Sequence, residues 1–214
     1  MLAKKAILIF IISASGIHLS GQVYFGINAS YSIPFTRSEE IKYDDAQDFL
    51  TYSLRFVELD VTPSLNTYIY YKNEIMYLQG GIGYRQIKTR FRSISYLEFG
   101  KQTPVETIKK TSYLMLPIHA GICFDRFKFG AGPVFGYIVD QNNIFEEIES
   151  FEERRRRLDT GFAFNFGITI YRFQLDLSYE YQFNSVGDYL YYRKDEKGFN
   201  NQAQFINLGL GLIF

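Results

Sequence analysis

Residues 205–214 alternate strictly. Ile206, Leu208, Leu210, Leu212 and Phe214 are large and apolar, and Asn207, Gly209 and Gly211 fill most of the gaps between them. A period of two makes a strand with one greasy face and one small or polar face. Left as an edge in water, such a strand is an aggregation hazard. In a closed membrane barrel it is the strand that completes the ring, and this narrows the fold more than any other feature of the chain.

Seven earlier stretches carry the same alternation. The first runs from Val23 to Ile33 and ends at Pro34. The second presents Val57, Leu59, Val61, Pro63, Leu65, Ile69 and Tyr71 on one face, with Glu58, Asp60, Thr62, Ser64 and Asn66 on the other. The third shows Met76, Leu78, Ile82 and Tyr84 against Tyr77, Gln79 and Arg85, and the fourth spans 113–124. The fifth spans 127–137, the sixth 161–170 and the seventh 173–183. Two-residue turns are expected at Lys72-Asn73, Asp125-Arg126 and Tyr171-Arg172, and long polar segments follow the first, third, fifth and seventh strands. Across a two-residue turn an odd residue always faces an even one, and the apolar faces of all three hairpins obey that parity. The expected fold is an all-β, eight-stranded antiparallel up-and-down transmembrane barrel with short periplasmic turns and long external loops.

Composition agrees with this architecture. The 214 residues suit one domain, and 21 Phe, 18 Tyr and 17 Gly without Trp favour strands with Tyr as the interfacial aromatic. Basic and acidic residues balance at 23 each, so no global field points to nucleic acid. One cysteine, Cys123, excludes an intramolecular disulfide framework and a Cys-based zinc cluster. Lys4 and Lys5 followed by the apolar run 6–12 read as a signal peptide over residues 1–21, cleaved before Gln22, leaving 22–214 as the barrel domain.

Charge placement gives the first site expectations. Glu58, Asp60, Arg85, Lys128, Asp176 and Glu180 all lie opposite the apolar faces, so they are expected inside the barrel as a polar network. Turn arithmetic at 72–73 pairs Asp60 directly with Arg85. The bland reading is a salt-bridged plug, since an eight-stranded barrel is just wide enough for side chains to fill. The sharper one is a carboxylate pair near the external rim. Once cleavage removes His18, His119 has no second histidine to work with and reads as structural. Cys123, beside Lys128 by the same arithmetic, reads as a small inward residue rather than an activated thiol. The charged segment Asp140 to Arg157 reads as a solvated loop containing a short amphipathic helix, with four arginines able to grip lipopolysaccharide phosphates. The glycines at 80, 81 and 83 and at 130, 132 and 136 precede no helix and make no nucleotide loop.

With the strands in place, the chain resembles the PorT-like outer-membrane β-barrel family of the Bacteroidetes type. Tyr113-Leu114-Met115-Leu116-Pro117, Gly130-Ala131-Gly132-Pro133-Val134-Phe135-Gly136-Tyr137 and the alternation from Phe173 to Tyr181 carry the resemblance. It implies an eight-stranded barrel recognised by the barrel-insertion machinery, with Leu210, Leu212 and Phe214 as the β-signal. The resulting expectation is a non-enzymatic integral protein of the bacterial outer membrane, needing no metal or cofactor. Its surroundings are lipid and lipopolysaccharide, and its loops bind a surface or secretion partner. A narrow channel for small or hydrophobic solutes is the alternative, and a soluble ligand-binding barrel, with its apolar faces turned inward, is the architectural rival.

Overall fold

The computed structural model describes residues 21–36, 40–45, 50–97, 100–101, 105–142, 151–153, 157–185, 190–192, 195–197 and 202–214. The expected targeting segment, apart from residue 21, lies outside them, as do residues 143–150 and Arg154 to Arg156 of the charged segment. The elements are β1 (Gln22–Phe35), β2 (Glu40–Asp45), β3 (Leu50–Val61), β4 (Ser64–Lys72), β5 (Met76–Leu97), β6 (Gly100–Lys101) and β7 (Val105–Phe124). They continue with β8 (Phe127–Gln141), β9 (Phe151–Glu153), β10 (Leu158–Ile170), β11 (Phe173–Ser185), β12 (Leu190–Tyr192), β13 (Asp195–Lys197) and β14 (Gln202–Ile213). The loop helix expected around residues 144–151 lies almost wholly outside the described residues, and Phe151 begins a strand that pairs with β12.

Hydrogen bonds close the main sheet into a ring of eight strands, β5-β4-β1-β14-β11-β10-β8-β7, with β7 returning to β5. The joint is the antiparallel ladder of β1 and β14, running from Gly26 opposite Ile213 to Phe35 opposite Gln204. Closure follows from solvent: an unpaired peptide group in hydrocarbon costs several kcal/mol, so a spanning sheet cannot keep an edge. Val23, Phe25, Ile69, Leu78, Ile82, Ile122, Phe129, Phe173, Leu175 and Leu210 are exposed on the outside of the ring, while Asn28, Arg85, His119, Lys128, Gln174 and Glu180 are buried within it. The greasy faces therefore point outward, which excludes the soluble rival.

Two of the three short turns match the expected length: Phe124 pairs Phe127, and Ile170 pairs Phe173. Their first residues, Asp125 and Tyr171, take φ of 49° and 55°. The third turn is longer than expected. Lys72 pairs Tyr77, so the register of this hairpin is displaced from the one a two-residue turn would set. The reason is local: the Asn73 side-chain carbonyl accepts hydrogen bonds from the Ile75 and Met76 amides at 3.0 and 2.6 Å, which builds a wider turn. The displacement keeps parity, so the faces of β4 and the lower part of β5 stay as expected.

A larger correction concerns the expected second strand, which is two strands parted at Thr62-Pro63. Val61 and Ser64 both face inward with two residues between them, so the alternation flips there. A second irregularity lies between Phe56 and Glu58. Leu59 and Val61 are consequently buried, whereas Glu58 and Asp60 stand on the outer face in solvent. Asp60 pairs with Lys88, not with Arg85. Proline breaks the ladder because it has no amide hydrogen to donate. Above this break the medium outside the sheet is water, so the inward face becomes the apolar one. β5 makes the same exchange without a bulge: Ile82 and Tyr84 face outward below, and Lys88 and Arg90 above, with Ile87 and Phe91 buried inside.

Leu59→Ala is expected to lower unfolding free energy by about 2–5 kcal/mol and Asp60→Ala to change it by less than about 0.5 kcal/mol, read by denaturant titration in lipid vesicles. Equal losses would place both residues on the wrong faces.

Candidate functional site

The lumen is built from three layers. Nearest the short turns, Tyr68, Tyr70, Tyr77, Cys123 and Ile213 form a buried cluster with Tyr24 packed against it. Tyr70 and Tyr77 lie with ring centroids 5.6 Å apart, and the Lys128 ammonium sits 5.7 and 5.6 Å from those two centroids. Lys128 pairs with Asp176 at 2.9 Å and donates to Gln79 at 3.0 Å. Gln174 donates to the other Asp176 oxygen, and Tyr68 donates to Gln174 at 3.4 Å. Small residues make the room: a Cβ at Gly26 would strike Tyr68, one at Gly130 would strike Tyr77, and one at Gly167 would strike both Lys128 and Asp176.

The second layer is a polar chamber of about 90 Å³ between these tyrosines and the upper barrel. His119, Asn165 and Asn207 line it, and each has a buried polar atom without a protein partner: His119 Nε2, Asn165 Oδ1 and Asn207 Oδ1. Such atoms in a polar space of this size are satisfied by water.

The third layer begins with Arg85 and Glu180, which form a fork of two hydrogen bonds at 3.0 and 2.7 Å. Both side chains are under a tenth exposed. Asn207 donates to Glu180 at 3.3 Å, and the Arg85 guanidinium lies 5.2 Å from the centre of the Phe205 ring. Around and above the pair, Leu54, Phe56, Leu59, Val61, Ile87, Phe91, Tyr113, Met115, Val134, Ala163 and Phe205 pack into one apolar plug.

Four of the six expected interior charges thus lie inside, as two separate pairs: Lys128–Asp176 low in the barrel and Arg85–Glu180 high in it. Glu58 and Asp60 do not join them. Glu58 pairs instead with Arg90 at 3.4 Å on the outer surface. His119 faces the chamber opposite Gln79, and Cys123 is buried opposite Lys128 with its thiol 3.5 Å from the Asn73 carbonyl. Leu210 and Phe214 lie exposed on the outer face of the closing strand, with Leu212 half-buried between them. Lys109 and Asp159 are buried charges that the strand pattern missed. Lys109 falls in a segment too polar to read as a strand, and Asp159 stands just before the stretch recognised as the sixth strand.

Past the membrane belt, β3, β5 and β7 continue upward with β2 at their edge, so the barrel wall rises on one side. At 22 and 20 residues, β5 and β7 are about twice the length that crosses a bilayer. Their outer face carries Arg90–Glu58 and Arg92–Glu106, the latter at 2.5 Å. Hydrogen bonding and the charge of Arg92 hold the Glu106 carboxyl below the usual carboxylate range.

A hydrogen-bonded ring that is greasy outside, polar within and extended on one side is a transmembrane β-barrel of the bacterial outer membrane. No family model and no curated protein matches the sequence, so the PorT-like resemblance stands on its strand motifs alone. Solved structures that this chain is similar to include Ail of Yersinia pestis, in complex with the heparin analogue sucrose octasulfate, at 15% identity and TM-score 0.36. That match covers 91% of this chain and 99% of the other. OprG, an outer membrane protein of Pseudomonas aeruginosa, matches at 10% identity and TM-score 0.36 over 91% and 95% of the two chains. The outer membrane protease OmpT of Escherichia coli matches at 8% identity and TM-score 0.39 over 91% and 96%. The OmpT match corrects the expectation that the chain is not an enzyme: barrels of this general kind include a protease, so the fold does not exclude catalysis.

Removing one partner of the buried upper pair, as in Glu180→Ala, is expected to cost about 3–5 kcal/mol, because Arg85 is left charged and desolvated. The double variant Arg85→Met/Glu180→Leu should recover most of that loss. Additive losses in the four-member cycle would show that the two residues do not act as a pair.

Proposed function

We propose that this protein is a sealed outer-membrane barrel that holds a one-sided β-extension above the cell surface, where the extension binds a surface partner or glycan. The observation that carries this reading is the combination of a lumen filled at two levels with a wall that continues well past the bilayer. An open pore needs a continuous wet path. Here tyrosines fill the lower end, and an apolar plug with a buried ion pair fills the upper one. A sheet that climbs into water on one side costs chain entropy without adding to the membrane span. Its charged outer face is a surface available for recognition.

A secretion-associated role of the PorT-like kind fits this arrangement and rests on the resemblance in the fourth and fifth strands. The matched Ail structure is in complex with a polyanionic heparin analogue. For this chain, the extension is the surface on which a comparable acidic glycan would be sought.

In planar bilayers the folded, heat-modifiable protein is expected to give no steady current above background. A reproducible conductance would overturn the sealed-barrel reading. A photoreactive group placed at Arg92 should cross-link to the surface partner, and replacing residues 88–109 by a short turn should leave the barrel folded and heat-modifiable while abolishing cross-links from groups placed on β8 or β11. Unchanged cross-links from β8 or β11 positions after that deletion would move the binding surface elsewhere.

A further inference from the structure

Along the β5–β7 ladder the outward pairs change chemistry in a fixed order. Tyr84 opposite Leu114 ends the apolar belt. Gln86 opposite Ser112 follows, and next comes Lys88 opposite Lys110. Two like charges face each other directly across adjacent strands, an arrangement that destabilises a sheet unless something lies between them. Among the described residues neither ammonium has an ion-pair partner.

The neighbouring rows show how the same sheet treats its other cations. One row up, Arg90 pairs with Glu58. Two rows up, Arg55 faces Arg92, and the pair is flanked on both sides by acids, Glu40 beyond Arg55 and Glu106 beyond Arg92. The lysine row differs. Asp60 lies beyond Lys88, and on the other side Asn142 bonds the Lys110 backbone. The nearest acid on that side, Asp140, stands opposite Ser112, one pair lower. The lysine row is therefore left with one cation in excess, where the two rows above it are balanced.

Its height says what the excess meets. Two residue pairs above Tyr84 is about 13 Å along the strands, or roughly 10 Å of height at a typical strand tilt. The interfacial layer beyond the hydrocarbon is about 5–7 Å thick. Lysine stems long enough to bend back toward the bilayer bring both ammonium groups to the level of the headgroups. A compact ammonium is a good point-charge partner for phosphate and needs no fixed fork geometry.

We propose that Lys88 and Lys110 together clamp the phosphate of a phosphorylated glycolipid in the outer leaflet, so that the anion lies between them and relieves their repulsion. The clamp rests on the barrel reading and on the extension facing outward. It fixes the angle at which the extension leaves the membrane, because the held headgroup ties the base of β5 and β7 to the lipid surface. The four arginines of the 140–157 segment are not needed for it.

The test uses the full folded protein in detergent with bisphosphorylated lipid A as probe, retention being read by native mass spectrometry. Wild type should retain lipid A, and Lys88→Gln/Lys110→Gln should lose retention roughly tenfold or more. Lys72→Gln/Arg126→Gln, an equal charge loss near the short turns, should retain it as wild type does. Lipid A stripped of its phosphates should not be held by any variant. Heat-modifiable migration of each variant reports barrel folding separately, so a failed barrel and a failed clamp give different results. Equal retention by wild type and the double variant, or equal retention of the stripped lipid, would overturn the proposal. So would inorganic phosphate at millimolar concentration displacing the lipid completely, since that outcome describes a free-anion site rather than a lipid clamp.

Discussion

Backbone hydrogen bonding in a medium without water is the constraint on which the rest of this structure depends. Inside hydrocarbon no peptide group can be left for solvent, so a sheet must close on itself. The ladder of β1 with β14 satisfies that demand and sets every other placement. Once the ring is closed, the outer face must be apolar and the inner face must satisfy whatever polar groups it holds. The inner face does so with two ion pairs, a set of tyrosines and a chamber of about 90 Å³ with room for water to satisfy its polar atoms.

Where the sheet leaves the bilayer, the same logic runs in reverse. Water now lies outside, and the interior of the extension becomes a small apolar core around Phe56, Phe91 and Phe205. The molecule thus has two hydrophobic surfaces that meet near the level of Arg85: a belt facing lipid below it and a plug facing inward above it. Arg85 and Glu180 sit at that junction, and the pairing of Arg85 with an acid 95 residues away ties opposite walls together. At this level the ion pair and the apolar plug above it fill the lumen.

Much of this was legible in the alternation of residues. Strand number, hairpin parity at 125–126 and 171–172, the outward faces of the lower barrel and the inward placement of Arg85, Lys128, Asp176 and Glu180 all follow from a period of two. The misplacement of Glu58 and Asp60 has a definite cause. Alternation says which residues share a face, but it cannot say on which side of that face water lies. At Pro63 the chain changes both parity and medium, and the residue pattern runs on without a break. The turn at residue 73 is invisible to alternation for a comparable reason, since a side-chain carbonyl holding two amides widens a turn without disturbing the pattern on either side.

By itself, then, the sequence determined eight one-sided strands and hence a closed ring, because only closure pairs every peptide group, while the structure decided that the greasy faces of the lower barrel point outward. Only the tertiary structure decided which charges meet. Asp60 and Arg85 are compatible partners by parity, and so are Arg85 and Glu180. The choice between them depends on a bulge and on contacts across the lumen, where residues far apart in the chain share one buried space and the strand pattern carries no information about distance.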